Sequence, residues 1–170
     1  MKAEKGLYGI FVSKGIIPLS LTGLILIGVG LFLIVQSLVG ELLPHDIANL
    51  QMTAGQLSVF NSGTILKFMF HDRIAFGGSL IALGIVYIWL AAFPLKKGQA
   101  WAWWLFVISG TTGFGSFLTY MGYGYLDTWH CIGTLLLLPV FILGLVYSYK
   151  ELQTPKGIRA LFVQHNKPNL

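Results

Sequence analysis

The chain has 170 residues and a formal net charge of +5; 55% of the residues are hydrophobic, only 10% are charged, and the mean hydropathy is +0.75. A soluble domain usually carries about 25% charged residues, so this composition excludes an ordinary water-exposed surface and indicates one membrane domain. The basic residues lie at the ends of apolar runs rather than in a patch with aromatics, which excludes a typical nucleic-acid partner, and a single cysteine, Cys131, excludes an internal disulfide.

The first apolar run, Ile16–Leu38, follows Lys2, Lys5 and Lys14, as a signal peptide would. It is too long for the hydrophobic region of a signal peptide, and no A-x-A cleavage site follows it, so we predict an uncleaved transmembrane helix. Three later runs also approach the ~20 residues that span a bilayer. These runs are Ile74–Phe93, Trp101–Met121 and Trp129–Tyr149, the last with a kink expected at Pro139.

The connection between the first two helices, Gly40–Phe70, is too long for a turn and too apolar for a flexible loop. Pro44-His45-Asp46 is typical of a break followed by a helix cap, and Thr53 would cap a second short helix. We therefore expect short helices on the outer face of the bundle. From Thr64 onward the pattern is helical without a break, so Thr64 is an alternative start for the second transmembrane helix.

The basic residues predict the topology. Nine of the eleven lie in the N-terminal segment, in the second connection and from Lys150 to the C-terminus, and only Lys67 and Arg73 lie on the other side. The positive-inside rule places both termini in the cytoplasm. The sequence thus predicts an all-α integral membrane protein of the cytoplasmic (inner) membrane: a four-transmembrane-helix bundle in residues 1–152, N-in and C-in, followed by a basic cytoplasmic tail in residues 153–170.

Polar residues at the predicted outer level form the candidate functional site. Charged groups close to hydrocarbon are costly and mark a functional site by default. His71-Asp72-Arg73 opens the apolar part of the second helix, and Asp127-Thr128-Trp129-His130 opens the fourth. Glu41, His45 and Asp46 begin the long connection at the same level. The candidate residues are His45, His71, Asp72, Arg73, Asp127 and His130.

Three interpretations of this cluster remain open. Arg73 pairs with Asp127 or Asp72 and locks the second helix to the fourth. Alternatively, His71 and His130 bind a transition metal ion or a haem, although no HxxxH or ExxH spacing places two ligands on one helix face. In the third interpretation the cluster binds an anionic lipid headgroup or a small substrate, with Arg73 as the anchor and a histidine as proton donor or acceptor.

Three stretches also carry a family resemblance: Phe68–Gly78, Trp101–Trp104 and Gly122–His130. Together they resemble an uncharacterised family of small bacterial multi-helix membrane proteins, some of whose members are labelled dihydroorotate-dehydrogenase-like. The resemblance covers roughly residues 44–145 and implies no established activity. A flavin-binding barrel needs ~200 residues or more, so the resemblance does not imply a dehydrogenase here.

No nucleophile motif, phosphate-binding glycine loop or dinucleotide fingerprint occurs in the chain. We therefore expect a non-enzymatic membrane protein, a subunit or accessory partner of other membrane subunits, whose outer cluster is structural or binds a ligand. The alternative is a metal- or haem-binding membrane redox protein that uses His71 and His130.

Overall fold

A computed structural model of the protein describes residues 15–122 and 128–152, and within these ranges every regular element is helical. Four helices are long, and two short ones lie in the first connection. We number them α1 (Ile16–Val39), α2 (Pro44–Leu50), α3 (Ala54–Val59), α4 (Thr64–Leu90), α5 (Ala100–Gly122) and α6 (Thr128–Leu152).

Three of the long helical segments are apolar and long enough to cross a membrane: Ile16–Val39, Thr64–Leu95 and Cys131–Lys150. The fourth long helix, α5, runs beside them, but its 23 residues include several glycine, serine and threonine residues as well as Trp101, Trp103 and Trp104. These residues lower its hydropathy. The structure is therefore that of an all-helical protein with three candidate membrane spans.

The closest helix pair is α1 with α4, and it is built on a glycine seam that we define as Gly23, Gly30, Gly77 and Gly84. A Cβ added to Gly23 would lie 2.7 Å from the carbonyl oxygen of Gly84, and one added to Gly30 would lie 2.5 Å from that of Gly77. The reverse contacts are equally close. The backbones touch directly, as small residues permit in membrane helix pairs.

The chain reverses from α4 to α5 at Lys96–Gln99, and we call this the Lys97 end of the bundle; the opposite end, with Gly40 and Thr64, is the His45 end. The buried core lies toward the Lys97 end. Its members are Leu19, Tyr87, Leu90, Ala91, Leu95, Ala102, Phe106 and Phe141. Trp103 Nε1 donates to the Leu145 carbonyl at 3.0 Å and ties α5 to α6 there.

The second apolar run is expected to end at Phe93, before Pro94, but the helix extends further. After Leu90 the helix continues as one π-helical turn, Ala91–Leu95, which contains Pro94. Proline lacks an N–H and its ring clashes with the carbonyl one α-turn back, and the wider π turn relieves that clash. The helix begins at Thr64, which confirms the alternative start rather than Ile74.

Both short helices occur in the first connection. Thr53 caps α3 through its hydroxyl, which accepts from the N–H of Gln56 at 3.3 Å, and the Gln56 side chain accepts from the Thr53 N–H at 2.9 Å. This reciprocal pattern is a capping box. The prediction that Thr53 begins a short helix is confirmed.

Candidate functional site

A large cavity lies between the long helices on the His45 side of the core. Its volume is about 890 Å³, within the ~300–1,000 Å³ typical of small-molecule sites. Near the Lys97 end α1 lies close to α6, and a Cβ on Gly144 would lie 2.8 Å from Leu19 Cγ. Nearer the His45 end, all four long helices contribute to the cavity wall.

The lower boundary of the cavity, toward the Lys97 end, is a polar pair surrounded by aromatic rings. The Tyr87 hydroxyl lies 2.7 Å from Ser109 Oγ, and Ser109 Oγ donates to the Leu105 carbonyl at 2.6 Å. Because the serine proton is used there, Tyr87 donates to Ser109. The rings of Phe114 and Phe141 lie 5.5 Å apart beside this pair. Both hydroxyl protons are thus donated to acceptors within the protein, and neither is available to a ligand.

Other hydroxyls on the wall are satisfied in the same way. Thr22 donates to the Pro18 carbonyl at 3.0 Å, Ser79 to Ala75 at 2.9 Å, and Ser116 to Gly113 at 2.8 Å. Such bonds to the preceding helical turn are common for serine and threonine. These positions offer hydroxyl oxygens but no spare proton, so this part of the wall is suited to apolar groups.

Leu43, Pro44 and His45, where α2 begins, form the roof of the cavity. An ion pair holds α2 to α4: Arg73 Nη2 contacts Asp46 Oδ2, and the two side chains are only 11% and 7% exposed. Arg73 also donates to the Glu41 carbonyl at 3.3 Å. Asp46 accepts from the Leu43 N–H at 3.0 Å and so fixes the start of α2 as well. Arg73 therefore anchors the roof.

His45 is the titratable side chain closest to this ion pair on the cavity wall. Its Nε2 lies 3.4 Å from Asp46 Oδ1, and its side chain is 14% exposed. Every other residue that lines the cavity, within the described ranges, is uncharged. The structure thus places His45, from the predicted cluster, in the cavity roof beside Asp46 and Arg73.

His71 and Asp72 face away from this site. Their side chains are 78% and 59% exposed, and His71 Nδ1 lies 3.4 Å from Asp72 Oδ1. Consecutive helical residues point about 100° apart, so Arg73 can face the bundle while the two preceding residues cannot. The sequence correctly indicates that these three residues lie at one level along the helix. It does not show which of their side chains face the bundle.

Two predicted site residues cannot be placed: Asp127 lies outside the described residues, and so does the side chain of His130. The Arg73–Asp127 pair and the His71–His130 metal or haem site therefore stay predictions. Among the described residues, no three or more histidine, cysteine, aspartate or glutamate side chains are grouped as a metal site would require.

The sequence analysis did not identify Asp46 as the partner of Arg73, nor the cavity. A signal for Asp46 was available, because Pro44-His45-Asp46 is a helix start with an acidic residue in its first turn. The cavity has no equivalent signal. It depends on the angles between helices.

Comparisons with known proteins give no match: no family model, no curated protein and no solved structure is similar to this chain. The resemblance to the bacterial multi-helix family accordingly stays a prediction.

Proposed function

We propose that this protein is a four-span membrane protein that binds an apolar molecule in the cavity of its helix bundle, as a non-enzymatic binding or accessory protein. The observation that carries the proposal is the cavity of about 890 Å³ between four helices. Interiors of well-packed proteins contain few voids larger than a water molecule. A space this large between membrane helices is therefore filled, and the apolar wall selects an apolar occupant.

The polar cluster has a structural part in this proposal. The Asp46–Arg73 pair joins α2 to α4 and holds the roof over the cavity. Neither residue is assigned to chemistry on a substrate. The wall hydroxyls of Thr22, Ser79 and Ser116 are engaged with their own helices, and this arrangement favours binding over catalysis.

A four-span topology with both termini in the cytoplasm belongs to the same proposal. It is supported by the length of α5, 23 residues, which at ~1.5 Å per residue is roughly 35 Å and exceeds the ~30 Å hydrocarbon core. Exposed Trp89, Trp101 and Trp104 lie near the Lys97 end with Lys96 and Lys97, as expected at a cytoplasmic interface.

Reporter fusions test this topology directly, because each one reports the side of the membrane on which it lies. A fusion after Lys97 and one after Leu152 should both report the cytoplasm, whereas a fusion between α2 and α3, at Gln51, should report the opposite side. A C-terminal fusion that reports the outer side would contradict the four-span arrangement.

The cavity itself can be tested by filling it. Gly113 and Gly133 line it, and a Cβ added to either meets no atom within 4 Å. The variant Gly113→Leu/Gly133→Leu should therefore fold and occupy the cavity with leucine side chains. Native mass spectrometry of protein purified in mild detergent should find a bound molecule on the wild type and a loss of at least tenfold in its occupancy on this variant.

The matched control is Gly28→Leu/Gly78→Leu. Both glycines are exposed outside the cavity lining and also have no atom within 4 Å of an added Cβ. This control should retain the bound molecule at wild-type occupancy. The proposal is wrong if the wild type carries no bound molecule, or if the cavity-filling variant keeps it.

A further inference from the structure

The exposed residues of the cavity wall indicate the direction from which a bound molecule enters. Phe32 on α1 and Phe76 on α4 line the cavity, yet they are 52% and 59% exposed. Phe32 also lies one helical turn from Gly28, which is exposed outside the cavity lining, so its ring lies between the cavity wall and the outer face of α1. The cavity opens sideways, between helices, rather than only at an end.

The roof makes the approach from water less direct. Leu43 is 7% exposed and lies over the cavity, and the Asp46–Arg73 pair holds its backbone in place. The lateral openings face the region that surrounds the candidate spans, which for a membrane protein is hydrocarbon. An occupant from the bilayer can enter without crossing the roof.

The depth of the cavity matches one leaflet. Its α1 wall extends from Thr22 to Leu33 and its α4 wall from Phe76 to Tyr87. At a helical rise of ~1.5 Å per residue, each wall is roughly 16 Å long. Half of the ~30 Å hydrocarbon core is about 15 Å. The cavity is thus about as long as the hydrocarbon depth of a single leaflet.

The wall chemistry decides which end of an amphipathic molecule lies deepest. At the floor, Tyr87 donates to Ser109 and Ser109 to a backbone carbonyl, so neither offers a proton to a ligand oxygen. A buried carbonyl or carboxylate without a donor is costly. Charged groups are concentrated at the roof, where exposed Glu41 lies near the Asp46–Arg73 pair. The polar end of the molecule therefore stays at the His45 end.

From these observations we propose that the cavity accepts one acyl chain of a phospholipid from the adjoining leaflet, with the chain end at Tyr87 and Ser109 and the headgroup outside the side opening, at the level of His45. The inference rests on the proposed function and specifies its ligand. The side opening leaves room for the other chain to remain in the bilayer.

Photo-crosslinking in nanodiscs tests this placement. The probe is phosphatidylcholine with a diazirine on one acyl chain, either at the terminal carbon or beside the ester, and labelled peptides are identified by mass spectrometry. The terminal diazirine should label the segments around Tyr87 and Ser109, and the ester-proximal diazirine the segment Leu43–His45. Gly113→Leu/Gly133→Leu should reduce labelling of Tyr87 and Ser109 at least fivefold, while Gly28→Leu/Gly78→Leu should not.

Labelling confined to outward residues such as Leu24 and Leu31 would overturn the acyl-chain assignment. So would floor labelling by a diazirine fatty acid but not by the phospholipid. In either case, a cavity-dependent molecule found by native mass spectrometry would leave the proposed function intact. If no such molecule is found either, both proposals fail together.

Discussion

Replacing Gly84 with alanine is expected to destabilise the bundle by about 3 kcal/mol, the upper end of the usual cost of overpacking. The added Cβ would lie 2.5 Å from the carbonyl oxygen of Gly23 and 2.7 Å from Ile27 Cγ1. Since the first of these atoms is backbone, it cannot rotate away, and the two helices must separate. The free energy of unfolding, measured by titration with sodium dodecyl sulfate in mixed micelles, should report this loss.

Gly78→Ala is the matched control, because the position lies on the same helix and a Cβ there meets no atom within 4 Å. Alanine is preferred to glycine in a helix by about 0.5–1 kcal/mol, so this variant should be neutral or slightly more stable. Gly30→Ala, on the facing helix, should behave like Gly84→Ala. Equal stabilities for the Gly78 and Gly84 variants would show that α1 and α4 do not touch through their backbones.

The second large effect is expected at the ion pair. Arg73→Met leaves Asp46 buried, charged and without its guanidinium partner, and Asp46→Ala leaves the Arg73 charge in the same position. Breaking a buried pair from one side typically costs about 3–5 kcal/mol, and both side chains are at most 11% exposed. The same unfolding titration should record a loss of this size for each single variant.

The double variant Asp46→Asn/Arg73→Met should recover much of the loss. It removes both charges, and the asparagine oxygen can still accept from the Leu43 N–H, a bond of 3.0 Å in the native chain. Asp72→Asn is the control, because Asp72 is 59% exposed, and substitutions at such positions usually change stability by less than 0.5 kcal/mol. If the double variant is no more stable than Arg73→Met alone, the effect of Arg73 does not come from its charge.

The same ion pair links stability to the proposed binding. Arg73 fixes Asp46, and Asp46 fixes the start of α2, where Leu43 and His45 form the cavity roof. A loosened roof admits water to an apolar space and weakens the hydrophobic contribution to binding. The roof therefore connects the predicted polar cluster to the cavity, although the sequence analysis treated the cluster alone.

Several features of the fold were predictable because they depend on short-range patterns. Low charge and long apolar runs indicate helices that can cross a membrane, and three such segments occur. Thr53 and Gln56 are three residues apart, the spacing that a capping box requires, and the box is present. One helix end was wrong: α4 begins at Thr64, the alternative start that the sequence indicates, but it continues past Pro94 through a π-helical turn.

The direction and partner of each polar side chain depended on tertiary structure. The pattern places His71, Asp72 and Arg73 at one level, but the angular step of the helix turns only Arg73 toward the bundle. Its partner Asp46 is separated from it by 27 residues. Their meeting depends on how α2 folds back onto α4.

The sequence by itself determined that this chain is helical and apolar, with segments long enough to cross a membrane, because composition and helical periodicity decide those properties locally. Only the tertiary structure decided where the helices touch and where they diverge. The glycine seam brings α1 and α4 into backbone contact, while Gly113 and Gly133, which are also glycines, face open space. Glycines thus permit close helix packing in one place and line a cavity in another, because the effect of a glycine depends on how near the neighbouring helix lies.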